Sequence, residues 1–440
     1  MYNLLLDYFH TLEPHDTMTQ DQYTDPYSDF ISRDRETLQN TKHPLSGIRV
    51  LELSSVVAAP FAAAMLGDAG AEVIKIENPS APDALRGWGA SPECQGIEPY
   101  YFHIGRNKTP ITLNLKTPEG IVAFKDLIQK SDVFIENIRE SSLNRLGLGH
   151  EVLLELNPGL VIGKITGYGM DGPLAARPGF GTLAESFSGF TSINGFKENG
   201  ATSPPIPLAD MTAGIHLAFG VSLALRSAKR GVSGGQVVDA SLYEPLFGYM
   251  GGECVNYSVT GKVAHAIGNE LSATVPRNIY EASDHHHIAL SCSSQGTWEN
   301  LARTLGRPEL IDDSRFLTNA DRIKPANRIA LNQIISAWIA DRPAEEVLSI
   351  FETHGVTAGP VLSFDEISKD EHYLARESVK TMKDPVTGQG AQMPNVPFRM
   401  SESSNKVRFP GLPMGAGNEV VFKEILKYDD NQYHSLIAYE

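Results

Sequence analysis

Asp210 is the carboxylate whose setting most resembles a reactive group. It stands in Pro204-Pro205-Ile206-Pro207-Leu208-Ala209-Asp210-Met211-Thr212-Ala213-Gly214-Ile215-His216, between a stiff proline-rich run and an apolar segment. From Met211 to Leu225 the chain is almost uninterrupted in Met, Ala, Ile, Leu, Phe, Val and Gly, the pattern of a helix buried on every side. Asp210 is therefore expected at or beside the N-cap. Free N–H groups and the positive end of the helix dipole would favour its ionised form there, making it a ready anion at neutral pH. Such a carboxylate can cap a helix or attack an electrophilic carbon. Capping is the ordinary role at this position, and the segment alone does not separate the two.

Other chemically able residues fall into weaker patterns. His285, His286 and His287 are expected on an edge strand, where only His285 and His287 share a face and no cysteine completes a zinc set. Cys94, Cys254 and Cys292 have neither metal nor redox spacing and give no disulfide framework. The turns at 167–173 and 177–181 are glycine-rich and follow a strand, a place where backbone can lie against a ligand.

The elements around these residues alternate. Ile48 to Leu53 reads as a strand, Pro60 opens a helix to about Asp68, and Val73 to Glu77 is a second strand, which together make a βαβ unit. Glu77 invites a dinucleotide reading, but the intervening loop at 54–60 has no G-x-G-x-x-G, so an NAD site is not expected. Strands follow at 111–116, 132–136, 160–165 and 236–239. Helices lie between them, one of which starts at Thr117-Pro118-Glu119-Gly120. This is α/β alternation. Residues 1–43 form a polar leader placed by composition outside any core, and too acidic for a typical mitochondrial presequence. Residues 44–245 make the first part of a large domain. Residues 246–340 make a smaller one, and 341–440 return to the first, with Gly355 to Val361 as a rejoining strand.

The totals bound the partners. A chain of 440 residues, 41% hydrophobic and 20% charged, has the composition of an ordinary globular protein. A net charge of -16 argues against nucleic acid or an anionic membrane. By this reading no apolar run reaches membrane-spanning length, so a soluble, cytoplasmic protein is expected.

The order of these segments resembles the family III CoA-transferases. Gly47 to Glu77, Lys108 to Gly120, Asp132 to Gly149, Asn157 to Pro173, Pro207 to His216, Gly234 to Glu244 and Gly355 to Val361 carry the resemblance, in the family's order. It implies a Rossmann-like large domain with a smaller α+β domain inserted, and an interlocked homodimer. It further implies transfer of CoA from an acyl-CoA, such as succinyl-CoA, to a carboxylic acid. Coenzyme A is then a co-substrate, and no cofactor or metal is tightly bound. Asp210 would be the nucleophile, forming a mixed anhydride and then an aspartyl-CoA thioester. By matching segments, Val57 and Ala58 correspond to the family's CoA-contacting turn. Leu113, Asn114, Lys116, Asn137, Ile138 and Arg139 correspond to the adenine and ribose region, and Arg145 to a phosphate contact. Gly179 and Gly181 fall in the turn over the pantetheine arm, and Trp88 in a substrate loop. Lys116, Arg139 and Arg145 would supply positive charge for a polyphosphate on an acidic protein.

The chain departs from the family at several points. Asn78 stands where relatives often carry a basic residue, and 268–273 is not the polyglycine flap of the formyl-CoA branch. Racemase relatives carry an aspartate where this chain has Gly181, and His150 reads as a surface histidine. The alternatives to a transferase are an acyl-CoA racemase or epimerase lacking its base, and a CoA-binding homologue without activity.

Overall fold

The computed structural model describes residues 25–437. Six parallel strands form its main sheet: β1 Arg49–Leu53, β2 Glu72–Glu77, β3 Lys108–Thr112, β4 Val133–Glu136, β5 Val161–Thr166 and β6 Gln236–Ser241. Their order is β3-β2-β1-β4-β5-β6. The chain steps outward from β1 to β3, then crosses back to lay β4 on the other side of β1. The direction of winding therefore reverses between β1 and β4, and ligands of open α/β sheets bind outside the carboxyl ends of strands at such a point.

Helices cover both faces, which is why the strands read as nearly continuous apolar runs. We label α1 Pro26–Asn40, α2 Ala58–Asp68, α3 Pro118–Gln129, α4 His150–Leu156, α5 Gly181–Phe187 and α6 Leu208–Lys229. On one face α2 and α6 bury Val50, Val73, Val133, Ile135 and Val161 with Ala62, Leu66, Leu217 and Val221. On the other, α3, α4 and the Val420–Ile425 segment enclose Leu51, Ile74, Phe134 and Ile162 with Phe124, Leu153 and Phe422. Gly214 is required for the α2–α6 contact, because a Cβ there would stand 2.7 Å from the Ala58 carbonyl oxygen.

A second sheet joins β7 Arg277–Glu281, β8 His287–Ser291 and β9 Ala358–Pro360 antiparallel, in the order β7-β8-β9. Its core includes Trp298, Phe316, Leu331, Ile335, Ile339 and Phe351. A hairpin of β10 Val379–Lys383 and β11 Gly390–Pro394 follows.

Several expectations change. Part of the leader is in the core: α1, started by the Asp25 side chain accepting from Tyr27 N–H, buries Ile31 against Phe409, Leu412 and Val420. Arg35 of α1 is also ion-paired to Glu72 and Glu424. Residues 1–24 lie outside the described residues. The strand expected at 111–116 is shifted to 108–112. Asn114 folds the chain into a turn whose carbonyl accepts from Thr117 Oγ1 and whose side chain accepts from Lys116 N–H. The segment at 355–361 does not rejoin the main sheet, because β9 pairs with β8, and β8 is central in the second sheet rather than an edge.

Helix α6 is not buried on every side. Ile215, Phe219 and Leu223 form an outward stripe at four-residue spacing, with Phe219 64% exposed. At 22 residues, α6 is also long and apolar enough to cross a membrane by length and composition, contrary to the expectation that no run is. Here its inner face packs on the sheet.

Candidate active site

Asp210 is the third residue of α6, within its first turn, and Pro207 at the N-cap offers no side-chain cap. The free N–H groups expected to serve Asp210 are taken by a neighbour. Glu185, buried on α5, accepts from Leu208 N–H at 3.0 Å and Ala209 N–H at 3.3 Å. The Asp210 carboxyl is accordingly pushed up to about 6. Burial is the first cause and the Glu185 charge the second, while Asp210's own N–H pulls the other way. This corrects the expectation that its surroundings favour the ionised form. At pH 7 about nine-tenths is still ionised, but as a more basic anion than a surface aspartate.

Gly181 faces this carboxylate directly. A Cβ built on it would stand 2.0 Å from Asp210 Oδ2, so no side chain fits there while Asp210 keeps its place. Gly179 crosses Gly167 as closely, with a Cβ on Gly179 falling 2.4 Å from Gly167 Cα. These two crossings bring the 177–181 turn down over the exit of β5 and onto Asp210.

The loop after β1 forms the other side of the site. Val56 has φ +70°, a left-handed conformation costing a β-branched residue about 1–3 kcal/mol. It is held by its N–H donating to Asp83 Oδ1 at 2.9 Å. Val57 and Ala58 are buried at the start of α2, and Val56, Val57, Tyr101, Ile104 and Met211 pack together. The Asp210–Met211 turn and the Val57–Ala58 turn are therefore neighbours at the winding reversal.

The remaining residues expected to contact CoA separate into two groups. Leu113 is in the core, and Asn137 clamps Ser55 by donating to its carbonyl at 2.8 Å and accepting from its N–H at 3.2 Å. Ile138 gives its N–H to Glu136 Oε2 and takes a hydrogen bond from Lys164 Nζ. These residues shape the crevice, and their polar groups are already engaged. Lys116, Arg139 and Arg145 are exposed and, among the described residues, pair with no carboxylate. Arg145 donates to Ser142 Oγ. Trp88, 40% exposed, meets Tyr100 edge-on at 5.8 Å.

Buried charges at the strand ends went unread in the sequence. Glu52 of β1, wholly buried, pairs with Lys75 of β2 at 2.9 Å and Lys108 of β3 at 2.8 Å, and Lys75 also reaches Asp83 at 2.9 Å. Burial alone would raise the Glu52 carboxyl, but the two ammonium groups hold it below its ordinary value. Glu136 of β4 likewise holds Lys164 at 2.7 Å and His150 at 2.9 Å. His150 is therefore not a surface histidine. The readable signal was a lysine in the middle of an apolar strand, in Glu72-Val73-Ile74-Lys75-Ile76 and again in Val161-Ile162-Gly163-Lys164-Ile165, because a buried lysine needs a buried acid.

A parallel sheet with a partly desolvated carboxylate at its crevice is an architecture suited to acyl transfer. A CaiB/BaiF family protein from Brucella suis shares it, with a TM-score of 0.77 at 28% identity over 88% of this chain and 100% of that one. The chain belongs to CoA-transferase family III, whose model it matches over residues 45–418. A succinyl-CoA–D-citramalate CoA-transferase of Chloroflexus aurantiacus is 34% identical over 400 residues, 91% of this chain and 98% of the relative. Human succinyl-CoA:glutarate CoA-transferase is 32% identical over 414 residues, 93% of this chain and 92% of the relative. The protein is thus a CoA-transferase and uses CoA thioesters as co-substrates.

Proposed function

We propose that the protein moves CoA from an acyl-CoA, with succinyl-CoA as donor, to a carboxylic acid through covalent intermediates on Asp210. Asp210 attacks the thioester carbonyl and expels CoA thiolate, leaving a mixed anhydride. The thiolate then attacks the aspartyl carbonyl, releasing the donor acid and leaving an aspartyl-CoA thioester. The acceptor carboxylate attacks that carbonyl, expels the thiolate and forms a second anhydride. Thiolate attack on the acceptor's acyl carbon then frees Asp210 and the new acyl-CoA. Each step exchanges one acyl bond for another, so exclusion of water and placement of Asp210 are the main requirements.

The observation that carries this reading is the Asp210 carboxylate, partly desolvated and facing Gly181, where any side chain would displace it. With glycine there, the acid–base group that racemisation needs is missing. In the proposed binding mode, CoA enters the Rossmann-like large domain with its phosphates against Lys116, Arg139 and Arg145. Its pantetheine arm passes between the Val57–Ala58 turn and the Gly179–Gly181 turn, and Trp88 borders the acyl side. The exposed apolar faces of α5 and α6 (Leu183 and Phe187, then Ile215, Phe219 and Leu223) fit an interlocked second copy. The net charge of -16 and the small-molecule chemistry suit a cytoplasmic enzyme rather than a nucleic-acid or membrane binder.

The test is incubation with succinyl-CoA followed by hydroxylamine trapping and intact-mass analysis. A modification on Asp210 is expected, and none in Asp210→Ala. An unmodified Asp210, or unchanged turnover in Asp210→Ala, would overturn the proposal.

A further inference from the structure

Val56 is the only β-branched residue in a left-handed conformation among the described residues, and what holds it there comes from outside its own loop. Three successive residues of that loop are fixed from elsewhere. Lys75 Nζ donates to the Ser54 carbonyl at 2.9 Å, Asn137 clamps Ser55, and the Val56 N–H donates to Asp83 Oδ1 at 2.9 Å. The same Asp83 oxygen accepts from Leu85 N–H at 3.0 Å, in the 84–87 turn that leads into Trp88. Its other oxygen is ion-paired to Lys75 at 2.9 Å. Burial would raise the Asp83 carboxyl, but Lys75 and the two N–H groups hold it below its ordinary value, so it stays an acceptor.

One buried carboxylate therefore joins the loop after β1 to the loop after β2. The joined loops meet the start of α6. Val56, Val57 and Leu85 share one apolar cluster with Met211, and a Cβ on Gly214 would stand 2.7 Å from the Ala58 carbonyl oxygen. Met211 and Gly214 stand one and four residues after Asp210, so the Val57–Ala58 turn is seated on the turn of helix that begins with this carboxylate.

We infer that Asp83 is a positioning residue of the transfer reaction: it locks Val56 at φ +70° and so holds the Val57–Ala58 turn in the conformation that receives the CoA thioester. Without that bond a valine favours φ below zero, and the loop relaxes. The strain at Val56 corresponds to about 5- to 150-fold in the balance between the locked and relaxed loop. A thioester that binds only the locked loop is weakened by the fraction lost, while the step after binding is unchanged. The inference rests on Asp210 being the nucleophile and on CoA lying against this turn.

A double-mutant cycle in the full-length protein tests it. The unmodified protein, Asp83→Ala, Val56→Gly and the double variant are mixed with succinyl-CoA over a range of concentrations. Adduct formation on Asp210 is followed by hydroxylamine trapping and intact mass. In the valine background, Asp83→Ala should raise the half-saturating succinyl-CoA concentration at least about tenfold, with the limiting rate constant within about threefold. In the glycine background the same substitution should change it less than about threefold, because glycine takes φ +70° without help. A residue acting through stability alone would instead lower the amount of competent protein, and the amplitude, in both backgrounds. Equal effects in the two backgrounds, or no effect of Asp83→Ala in either, overturn the inference. If Asp83→Ala leaves too little folded protein, the cycle is run on Lys75→Met, which strands no buried ammonium because Glu52 still pairs with Lys108, and the same outcomes decide. An Asp210 adduct in the unmodified protein with equal effects in both backgrounds refutes the positioning role alone. Absence of that adduct refutes the transferase reading beneath it.

Discussion

Glu185→Gln isolates the part of Asp210's basicity that comes from a neighbouring charge. A glutamine carbonyl oxygen can accept the same two N–H groups, from Leu208 and Ala209, so the helix start stays capped while the negative charge disappears. Asp210 stands at about 6 against an ordinary 3.8, a difference of about 3 kcal/mol between its charged and neutral forms. Burial is the larger cause and Glu185 the second, so removing the charge should recover less than half of that, or at most about one pH unit. With the acid limb moved from about 6 toward about 5, the ionised fraction at pH 5 rises from about one-tenth to about one-half. Single-turnover formation of the aspartyl-CoA adduct, quenched and read by mass between pH 5 and 8, should therefore quicken up to about fivefold at pH 5. At pH 8 it should be little changed. A limb that stays at 6 or moves upward would refute the electrostatic coupling. A uniform loss at all pH values would show that Glu185 acts through the helix cap alone.

Two further outcomes follow from the buried charges. Asp210→Asn should stabilise the unliganded protein at pH 8 by up to about 3 kcal/mol while abolishing turnover. Because the folded-state carboxyl is raised, the wild type loses stability as pH climbs from about 4 to about 6. The gain in thermal midpoint should therefore vanish near pH 4, and an equal gain at both pH values would contradict the raised carboxyl. Glu52→Gln leaves Lys75 and Lys108 without their shared counter-ion in the sheet core and should cost about 3–5 kcal/mol in denaturant unfolding. A loss under about 1 kcal/mol would mean that water reaches this network.

The element order and the carboxylate at the start of the apolar helix were legible because both are local. Strand periodicity, the Thr117-Pro118 helix start and the proline run before Asp210 act over a few residues, and β1 to β6 fall within a few residues of where they read. The largest shift, at β3, came from Asn114 turning the chain earlier than its apolar pattern suggests. The polar leader misled because α1 is polar over most of its length, while a few apolar residues, Tyr27, Phe30, Ile31 and Leu38, decide its packing. The strand at 358–360 was misassigned because periodicity identifies a strand without naming its partner, which is a long-range choice.

The sequence by itself determined that this is an α/β protein with a lone carboxylate at the start of an apolar helix, in an arrangement proper to one transferase family. Only the tertiary structure decided the state of that carboxylate. The N–H groups at a helix start serve whichever acceptor the fold brings closest, and here Glu185, 25 residues before Asp210 in the chain, occupies them. Gly181 had an equally distant reason, since its missing side chain makes room for Asp210 across a turn. Capping, desolvation and close approach all depend on what stands within a few ångströms, and residues far apart in sequence are brought to that range only by the packed sheet.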